Sequence, residues 1–320
     1  MKIWVTGSHG QLGSALVGLL SNNAMQAQYS MSVIATDIED VDLCNQANVE
    51  DFIRVHQPDY VINTAAYTAV DKAESDAIAC FQINRDAVRY LAQAVEAIGS
   101  VLIHISTDYV FDGQKFGLYT ETDVVHPSNI YGESKLAGEK EVIAHCSRYI
   151  ILRTSWVFSA TGQNFVNSMM RLAESQKALN VVSDQIGGPT YADDLASTLF
   201  KICCHLDVEK LGIAYAANFS RNKNKWGIYH YQGMPHVSWF DFAKHIFQSA
   251  QKKSIIQHVP KLAPVKSTDY PTAAKRPLNS KLDVTKISTE FAIEPSDWQS
   301  GLEDVLGKMN ESHRYQYPSD

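Results

Sequence analysis

The chain opens with a short apolar run that passes directly into a glycine-rich turn. Ile3-Trp4-Val5-Thr6 has the pattern of a buried strand, and Gly7, Gly10 and Gly13 follow before a helical pattern through residues 16–20. Glycines let the backbone approach a pyrophosphate closely, and the N-terminus of the helix supplies free N–H groups. The spacing Gly-x-x-Gly-x-x-Gly is one residue longer than the standard dinucleotide fingerprint. We interpret this start as a Rossmann-type turn that binds NADPH or NADH.

Strand and helix patterns alternate through the whole first half of the chain. Further strand patterns follow the first one at residues 33–37, 58–63, 101–106 and 149–154. This alternation predicts an α/β fold, a Rossmann-type doubly wound parallel sheet. Ligands of such sheets lie at the carboxyl ends of the strands. Gly7, Thr64 and Thr107 fall at or just after predicted strand ends, so we expect them to meet at one ligand site.

The second half of the chain mixes helices with short strands and has no clean linker. We therefore predict a smaller α/β substrate domain interleaved with the sheet. The dinucleotide-binding domain is expected at residues 1–152 together with about 178–208 and 226–232. The substrate-binding lobe is expected at about 153–177, 209–225 and 233–320.

A second feature lies between Ser106 and Lys135. Tyr131 and Lys135 are four residues apart, so they share one face of a predicted helix that reaches about His145. A Tyr hydroxyl has an ordinary pKa of about 10, and a nearby ammonium lowers it. Thr107 ends the fourth strand, where its hydroxyl can hold a substrate oxygen. With 15 Tyr in the chain, about one Tyr-x-x-x-Lys is expected by chance. Together with the nucleotide turn, the pair indicates a proton-donor site with Tyr131 as the acid.

Asp37 lies at the end of the second predicted strand. An acidic residue in this place binds the adenosine ribose 2′-hydroxyl of a dinucleotide. A carboxylate there repels a 2′-phosphate, which mildly favours NADH over NADPH. The alternative is an ordinary aspartate in the turn after a strand.

Composition limits the partners and the location. Lys and Arg total 28 against 35 Asp and Glu, a net charge of −7, which argues against nucleic acid or an anionic membrane as partner. The five cysteines form no Cys-x-x-Cys pair and no zinc-like cluster with histidine, as is typical of a reducing compartment. The sequence shows no secretory leader and no apolar run long enough to span a bilayer. We therefore expect a cytoplasmic protein.

Several stretches spread over nearly the whole chain form a specific combination. They are Gly7 to Gly13, Pro58 to Glu74 (PDYVINTAAYTAVDKAE), Ser106 to Gly113 (STDYVFDG), Tyr131 to Glu139 (YGESKLAGE), Arg153 to Phe158 (RTSWVF), Asp184 to Thr190 (DQIGGPT), Gly227 to His230 (GIYH), Ser238-Trp239 and Arg276 to Ser280 (RPLNS). With this combination the chain resembles the extended short-chain dehydrogenase/reductase superfamily and, within it, the dTDP-4-dehydrorhamnose reductase family.

The resemblance implies roles for individual residues. The implied catalytic triad is Thr107, Tyr131 and Lys135, of which the last two also contact the cofactor. The implied pyrophosphate loop is Gly7, Gly10, Gln11, Leu12 and Gly13. The other implied cofactor contacts are Asp42 and Leu43 at the adenosine, and Ala65 and Ala66. The implied substrate contacts are Thr107, Asp108 and Trp156 at the sugar, and Arg276 at the diphosphate.

The sequence also departs from the family. Some members are magnesium-bridged dimers with an acidic residue in the first helix, where this chain has Ala15. Asp193 and Asp194 remain near the second acidic position. We therefore doubt a Mg²⁺ site, assign no metal ligand, and expect a monomer or a weak homodimer.

The resemblance implies NAD(P)H-dependent reduction of the C4 keto group of dTDP-4-dehydro-L-rhamnose to dTDP-L-rhamnose, a precursor of surface polysaccharide such as O-antigen. Two alternatives stay open at this point. One is a non-catalytic subunit similar to the regulatory subunit of methionine adenosyltransferase, a branch in which the Thr-Asp pair is altered, whereas Thr107-Asp108 is intact here. The other is an epimerase or dehydratase acting on another nucleotide sugar.

Overall fold

A computed structural model of the chain describes residues 1–211 and 225–316. Its strands are β1 Lys2–Thr6, β2 Ser32–Thr36, β3 Tyr60–Asn63, β4 Val101–Thr107, β5 Tyr149–Thr154, β6 Val157–Phe158, β7 Ala178–Val182, β8 Ile186–Gly187, β9 Thr190–Tyr191, β10 Gly227–His230, β11 Gly233–Met234, β12 Val237–Ser238, β13 Lys261–Val265, β14 Asn279–Ser280 and β15 Ser296–Asp297. Its α-helices are α1 Gln11–Leu20, α2 Asn23–Gln28, α3 Gln46–His56, α4 Val70–Ala73, α5 Ala77–Phe81, α6 Ala87–Ala97, α7 Ile130–His145, α8 Phe165–Ser175, α9 Ala192–Leu211, α10 Trp239–Lys252, α11 Thr285–Phe291 and α12 Trp298–Gln316.

The central sheet contains six parallel strands in the order β10-β5-β4-β3-β1-β2. The predicted α/β fold with a doubly wound parallel sheet is confirmed. The chain runs from β1 outward to β2 and then returns to the other side of β1 to form β3. A crevice therefore opens between the carboxyl ends of β1 and β3, where this topology binds ligands.

Alternation along the strands directs side chains to the two faces of the sheet. In β1, Ile3 and Val5 pack in one buried cluster with helices α1 and α9, whereas Trp4 packs in another cluster with α3 and α6. All three side chains are fully buried. The period of two in the strand and the apolar stripes of the helices together explain why helices cover both faces.

The second lobe has an apolar core of its own. It is built mainly from helices α8, α10 and α12, which are amphipathic and turn their apolar faces toward one another. Its largest buried side chains are Phe158, Phe242, Phe247 and Trp298. This core is separate from the two sheet clusters. Residues of the lobe, among them Phe165 and Trp239, line the cavity at the carboxyl ends of the strands.

The structure changes the expected domain limits in two places. Strand β7, expected with the dinucleotide-binding domain, pairs with β13 outside the central sheet, and its Val181 belongs to the core of the second lobe. Helix α11, expected in the second lobe, buries Ile287 and Phe291 in a sheet cluster. Both pairings join segments far apart in sequence. Most of the expected lobe segment 209–225 lies outside the described residues, and the remaining limits stay a prediction.

The helix expected from Asp76 to Ile98 is divided by a π-helical turn at Gln82–Asp86. At this turn the backbone of Asn84 lies against helix α7, where a Cβ on Gly138 would come within 2.1 Å of the Asn84 carbonyl oxygen. The side-chain amide of Asn84 donates to the Ser134 hydroxyl at 2.9 Å. The turn thus fastens α7 to its neighbour. Within the described part of the chain, no helix combines the length and apolar character needed to cross a membrane.

Candidate active site

The glycine turn after β1 forms a tight cradle. Gly7 has φ +66°, a conformation that side-chain-bearing residues rarely adopt. A Cβ on Gly13 would lie 2.1 Å from the Gly7 carbonyl oxygen, and one on Gly7 would lie 2.7 Å from the Ala65 backbone. Gly10 is the N-cap of α1 and offers no side-chain acceptor, and the first turn has no acidic residue. The free N–H groups of this helix end are therefore suited to a pyrophosphate.

One large cavity of about 1410 Å³ extends from this cradle across the strand ends to the second lobe. Of the residues predicted from the sequence, those that line it are Gly7, Gly10, Gln11, Leu12, Gly13, Asp37, Leu43, Ala65, Ala66, Thr107, Asp108, Tyr131, Lys135, Trp156 and Arg276. Asp42 is not among them, and its carboxylate accepts from the backbone N–H of Cys44 at 2.9 Å. The structure thus brings fifteen of the sixteen predicted residues to one cavity.

Thr107, Tyr131 and Lys135 all line the cavity, and the Thr107 hydroxyl is hydrogen-bonded to the Tyr131 hydroxyl. Thr107 is the last residue of β4, and Tyr131 and Lys135 lie on the first turns of α7, whose N-cap Asn129 accepts from the Gly132 N–H at 2.8 Å. Lys135 is buried, and its ammonium donates to the carbonyl oxygen of Ile105 at 2.7 Å. Tyr131 and Lys135 thus both lie on α7 and line the cavity, and their catalytic roles stay a prediction.

The pKa of Tyr131 differs from the sequence prediction. Burial is the largest effect and raises this pKa well above its usual range, while the Thr107 hydroxyl opposes the rise. The expected net lowering of the Tyr131 pKa is therefore wrong for this structure, because burial outweighs the groups that favour the phenolate. Burial also acts on the lysine itself, and it lowers the pKa of Lys135 to about 8. The phenol is thus kept protonated at neutral pH.

A buried ion pair lies behind Lys135. Glu139, one turn further along α7, accepts from Arg153 of β5 at both oxygens, at 2.8 and 2.6 Å, and from the Ser106 hydroxyl at 2.5 Å. The side chains of Arg153 and Glu139 are 2% and 1% exposed. The carboxylate also opposes the lowering of the Lys135 pKa. The pair fixes α7 against the sheet and places a negative charge near the lysine.

Two groups face the cavity on the side of the second lobe. Asp108 is buried, and burial raises its pKa to about 6. One of its oxygens accepts from the Thr107 hydroxyl at 3.1 Å, and the other has no hydrogen-bond partner among the described residues. Trp156 has φ +49° and stacks on Trp239 with ring centroids 3.5 Å apart. Backbone strain of this kind costs about 1–3 kcal/mol and is concentrated at ligand sites.

Arg276 forms an ion pair with Asp71 of helix α4. Its Nη2 lies 2.7 Å from a carboxylate oxygen of Asp71, the second residue of helix α4. Both side chains line the cavity. At the other end, Asp37 follows β2, and its two oxygens accept from the N–H groups of His9 and Ile38 at 2.8 and 2.9 Å.

The sequence reasoning missed several residues of the site. Tyr109 packs edge-on against Tyr131 with centroids 5.5 Å apart, although it lies within the STDYVFDG stretch. Asp71 and Trp239 also lie within stretches that carry the resemblance. Gln11 also links the first helix to the second lobe by hydrogen bonds. Its amide nitrogen donates to the Gln163 carbonyl oxygen, and its amide oxygen accepts from the side chains of Ser159 and Asn164. These residues are recognised only by their short distances to the predicted site residues in the folded structure, which the sequence does not give.

The carboxylates considered for a metal already have partners. Asp193 lies 2.8 Å from the ammonium of Lys308 and accepts from the Tyr191 hydroxyl at 2.7 Å. Asp194 accepts from the Ser296 hydroxyl at 2.7 Å. Asp193 is thus paired with a cation of α12, and Asp194 is hydrogen-bonded to the residue that begins β15.

Comparison with known proteins finds relatives over nearly the whole chain. Residues 1–311 match the family model described as RmlD substrate binding domain. The dTDP-4-dehydrorhamnose reductase of Aggregatibacter actinomycetemcomitans is 44% identical over 304 residues, 95% of this chain and 98% of that relative. The crystal structure of a dTDP-4-dehydrorhamnose reductase from Clostridium acetobutylicum is 33% identical, with a TM-score of 0.84, and the match covers 97% of this chain and 100% of that one.

A second solved structure comes with a bound nucleotide. It is the dTDP-4-dehydrorhamnose reductase of Bacillus anthracis in complex with NADP, 32% identical with a TM-score of 0.82, and the match covers 96% of this chain and 99% of that one. The family model and these relatives cover nearly the whole chain, and the chain belongs to the dTDP-4-dehydrorhamnose reductase family.

Proposed function

We propose that this protein reduces the C4 keto group of dTDP-4-dehydro-L-rhamnose with NADPH or NADH and so forms dTDP-L-rhamnose. The observation that carries the proposal is the single cavity, which joins the glycine cradle at one end to Tyr131, Thr107 and Arg276 toward the other. Its volume of about 1410 Å³ leaves room for a dinucleotide and a sugar nucleotide side by side. Family membership supplies the chemical identity of the substrate.

Each residue has a part that follows from its position. The α1 N-terminus and the glycine cradle hold the pyrophosphate of the dinucleotide, which when bound supplies the hydride. Thr107 and Tyr131 hold the keto oxygen by hydrogen bonds, and Tyr131 gives its proton to the alkoxide that develops there. An alkoxide is far more basic than a phenolate, so the raised pKa of Tyr131 does not prevent the transfer. The Lys135 ammonium stabilises the phenolate that remains.

The direct test supplies purified protein with dTDP-4-dehydro-β-L-rhamnose and follows the absorbance of each reduced cofactor in separate reactions. We expect one equivalent of reduced cofactor to be consumed per sugar, with dTDP-L-rhamnose as product. The Tyr131→Phe variant serves as the matched control for non-enzymatic loss. Absence of oxidation with both cofactors, from protein that binds NADP, would contradict the proposal.

The pH dependence of turnover follows from Lys135. Its pKa of about 8 means that the buried amine is charged below this pH and neutral above it. If the charge supports Tyr131, kcat/KM is constant at neutral pH and falls as the pH rises through about 8, well below the ordinary lysine value of about 10.4. Initial rates measured from pH 6 to pH 10 give the alkaline decrease of kcat/KM, and circular dichroism checks the fold at each pH. A constant kcat/KM up to pH 10 would contradict the assignment.

Location and assembly are further proposals. We propose that the protein acts in the cytoplasm as a monomer or weak homodimer, without a nucleic-acid or membrane partner. Support comes from the net charge of −7, from five unpaired cysteines, and from the internal pairing of Asp193 and Asp194. The carboxylate of Asp37 at the cofactor end supports a mild preference for NADH.

A further inference from the structure

The cavity contains few positive charges for the two anionic groups that we propose it binds, the cofactor pyrophosphate and the diphosphate of the sugar nucleotide. Among the described residues that line it, the cationic side chains are Lys135 and Arg276, against the carboxylates of Asp37, Asp71 and Asp108. Lys135 is buried, and its ammonium already donates to the Ile105 carbonyl oxygen. The cofactor pyrophosphate is served by the α1 N-terminus. Arg276 is therefore the cation left for the diphosphate of a sugar nucleotide.

Arg276 is only partly satisfied in its present position. Its Nη2 contacts one oxygen of Asp71, while its Nε is buried and has no hydrogen-bond partner among the described residues. The second oxygen of Asp71 accepts from the Ala274 N–H at 3.1 Å. The side chains are 33% and 44% exposed, and one-point ion pairs at such exposure contribute little to stability. An unpaired buried donor adds a cost to this conformation.

A diphosphate offers Arg276 more than Asp71 does. The planar guanidinium binds two phosphate oxygens at once, which gives two charge-assisted hydrogen bonds in place of one. The diphosphate also carries more negative charge than a carboxylate. A diphosphate bound to Arg276 would lie beside Asp71, so the two anions would compete for one cation and repel each other.

We propose that Asp71 is a resident anion that Arg276 exchanges for the diphosphate of the sugar nucleotide, so that Asp71 limits the affinity of the site for nucleoside diphosphates. This inference rests on the proposed function and names the residue that sets binding strength at the substrate end. Asp71 keeps Arg276 folded against α4 when the site is empty. It takes the arginine back when product leaves, and so favours release.

The test is titration of dTDP and of thymidine, which lacks the diphosphate, into protein saturated with NADP, measured by calorimetry. Asp71→Asn keeps an oxygen for the Ala274 N–H and removes the charge. We expect this variant to bind dTDP about two- to fivefold more tightly, the change that removal of one partly exposed ion pair can produce, with thymidine binding unchanged. Arg276→Gln is expected to lose most of the dTDP affinity.

A double-variant comparison separates exchange from simple repulsion. In the Arg276→Gln background, exchange predicts that Asp71→Asn gains much less affinity for dTDP, because the contested cation is gone. The matched control is Asp76→Asn, which removes the same charge shortly after α4 from a side chain that pairs with Lys72 and does not line the cavity. Asp76→Asn should leave dTDP affinity unchanged.

Three results would overturn the inference. They are weaker or unchanged dTDP binding by Asp71→Asn, an equal gain for thymidine, and an equal gain in the Arg276→Gln background. Failure of the parent protein to bind dTDP, with NADP binding intact, would instead contradict the proposed function. The two failures are therefore distinguishable in the same set of titrations.

Discussion

Replacing Tyr131 with phenylalanine is expected to lower kcat by roughly 10²–10⁴-fold, the usual contribution of a positioned proton donor. The variant removes one hydroxyl from a ring held by the N-terminal turns of α7 and packed edge-on against Tyr109. The ring contacts remain, so the dissociation constant of NADPH should change little. Steady-state rates with the keto-sugar give kcat, and fluorescence titration gives the cofactor affinity.

The control for this variant is Tyr149→Phe, which removes a phenol at the start of β5, away from the residues that line the cavity. It should retain full turnover. An unchanged kcat in Tyr131→Phe would remove the acid role from Tyr131. Loss of turnover in Tyr109→Phe instead would transfer that role to the neighbouring phenol, which also lines the cavity.

Replacing Glu139 with glutamine is expected to lower the free energy of unfolding by about 3–5 kcal/mol, because it leaves the Arg153 charge buried without its counter-charge. The parent pair is almost fully buried and bidentate. Chemical denaturation followed by circular dichroism measures the change. The same variant removes the carboxylate that supports the charge on Lys135, so the alkaline limb of kcat/KM should move to lower pH.

Two controls separate burial from charge alone. Arg54→Ala removes a surface pair with Asp51, in which both side chains are more than 70% exposed, and it should change stability little. The double variant Glu139→Leu/Arg153→Met should recover much of the lost stability, since apolar side chains replace both buried charges. Equal destabilisation by Arg54→Ala and Glu139→Gln would contradict the importance of burial.

The sequence predicted most of the fold because the relevant signals are local. Strands and helices follow from the spacing of apolar residues over one or two turns, and helix α7 ends at His145 as expected. The glycine turn at Gly7 to Gly13 was predicted for the same reason, since tight turns depend on backbone freedom at single positions. Strand alternation then required the strand ends to converge, which brought Thr107 and Tyr131 together.

The amino-acid sequence alone predicted the sheet, the glycine turn and the side chains that we propose as reactive. The tertiary structure decided the rest, because that rest depends on partners far apart along the chain. Asp71 and Arg276 are 205 residues apart, and β7 joins the second lobe through β13. The direction of the Tyr131 pKa shift depends on how much water the surrounding elements exclude. Desolvation and long-range pairing are properties of the packed chain, and no local pattern encodes them.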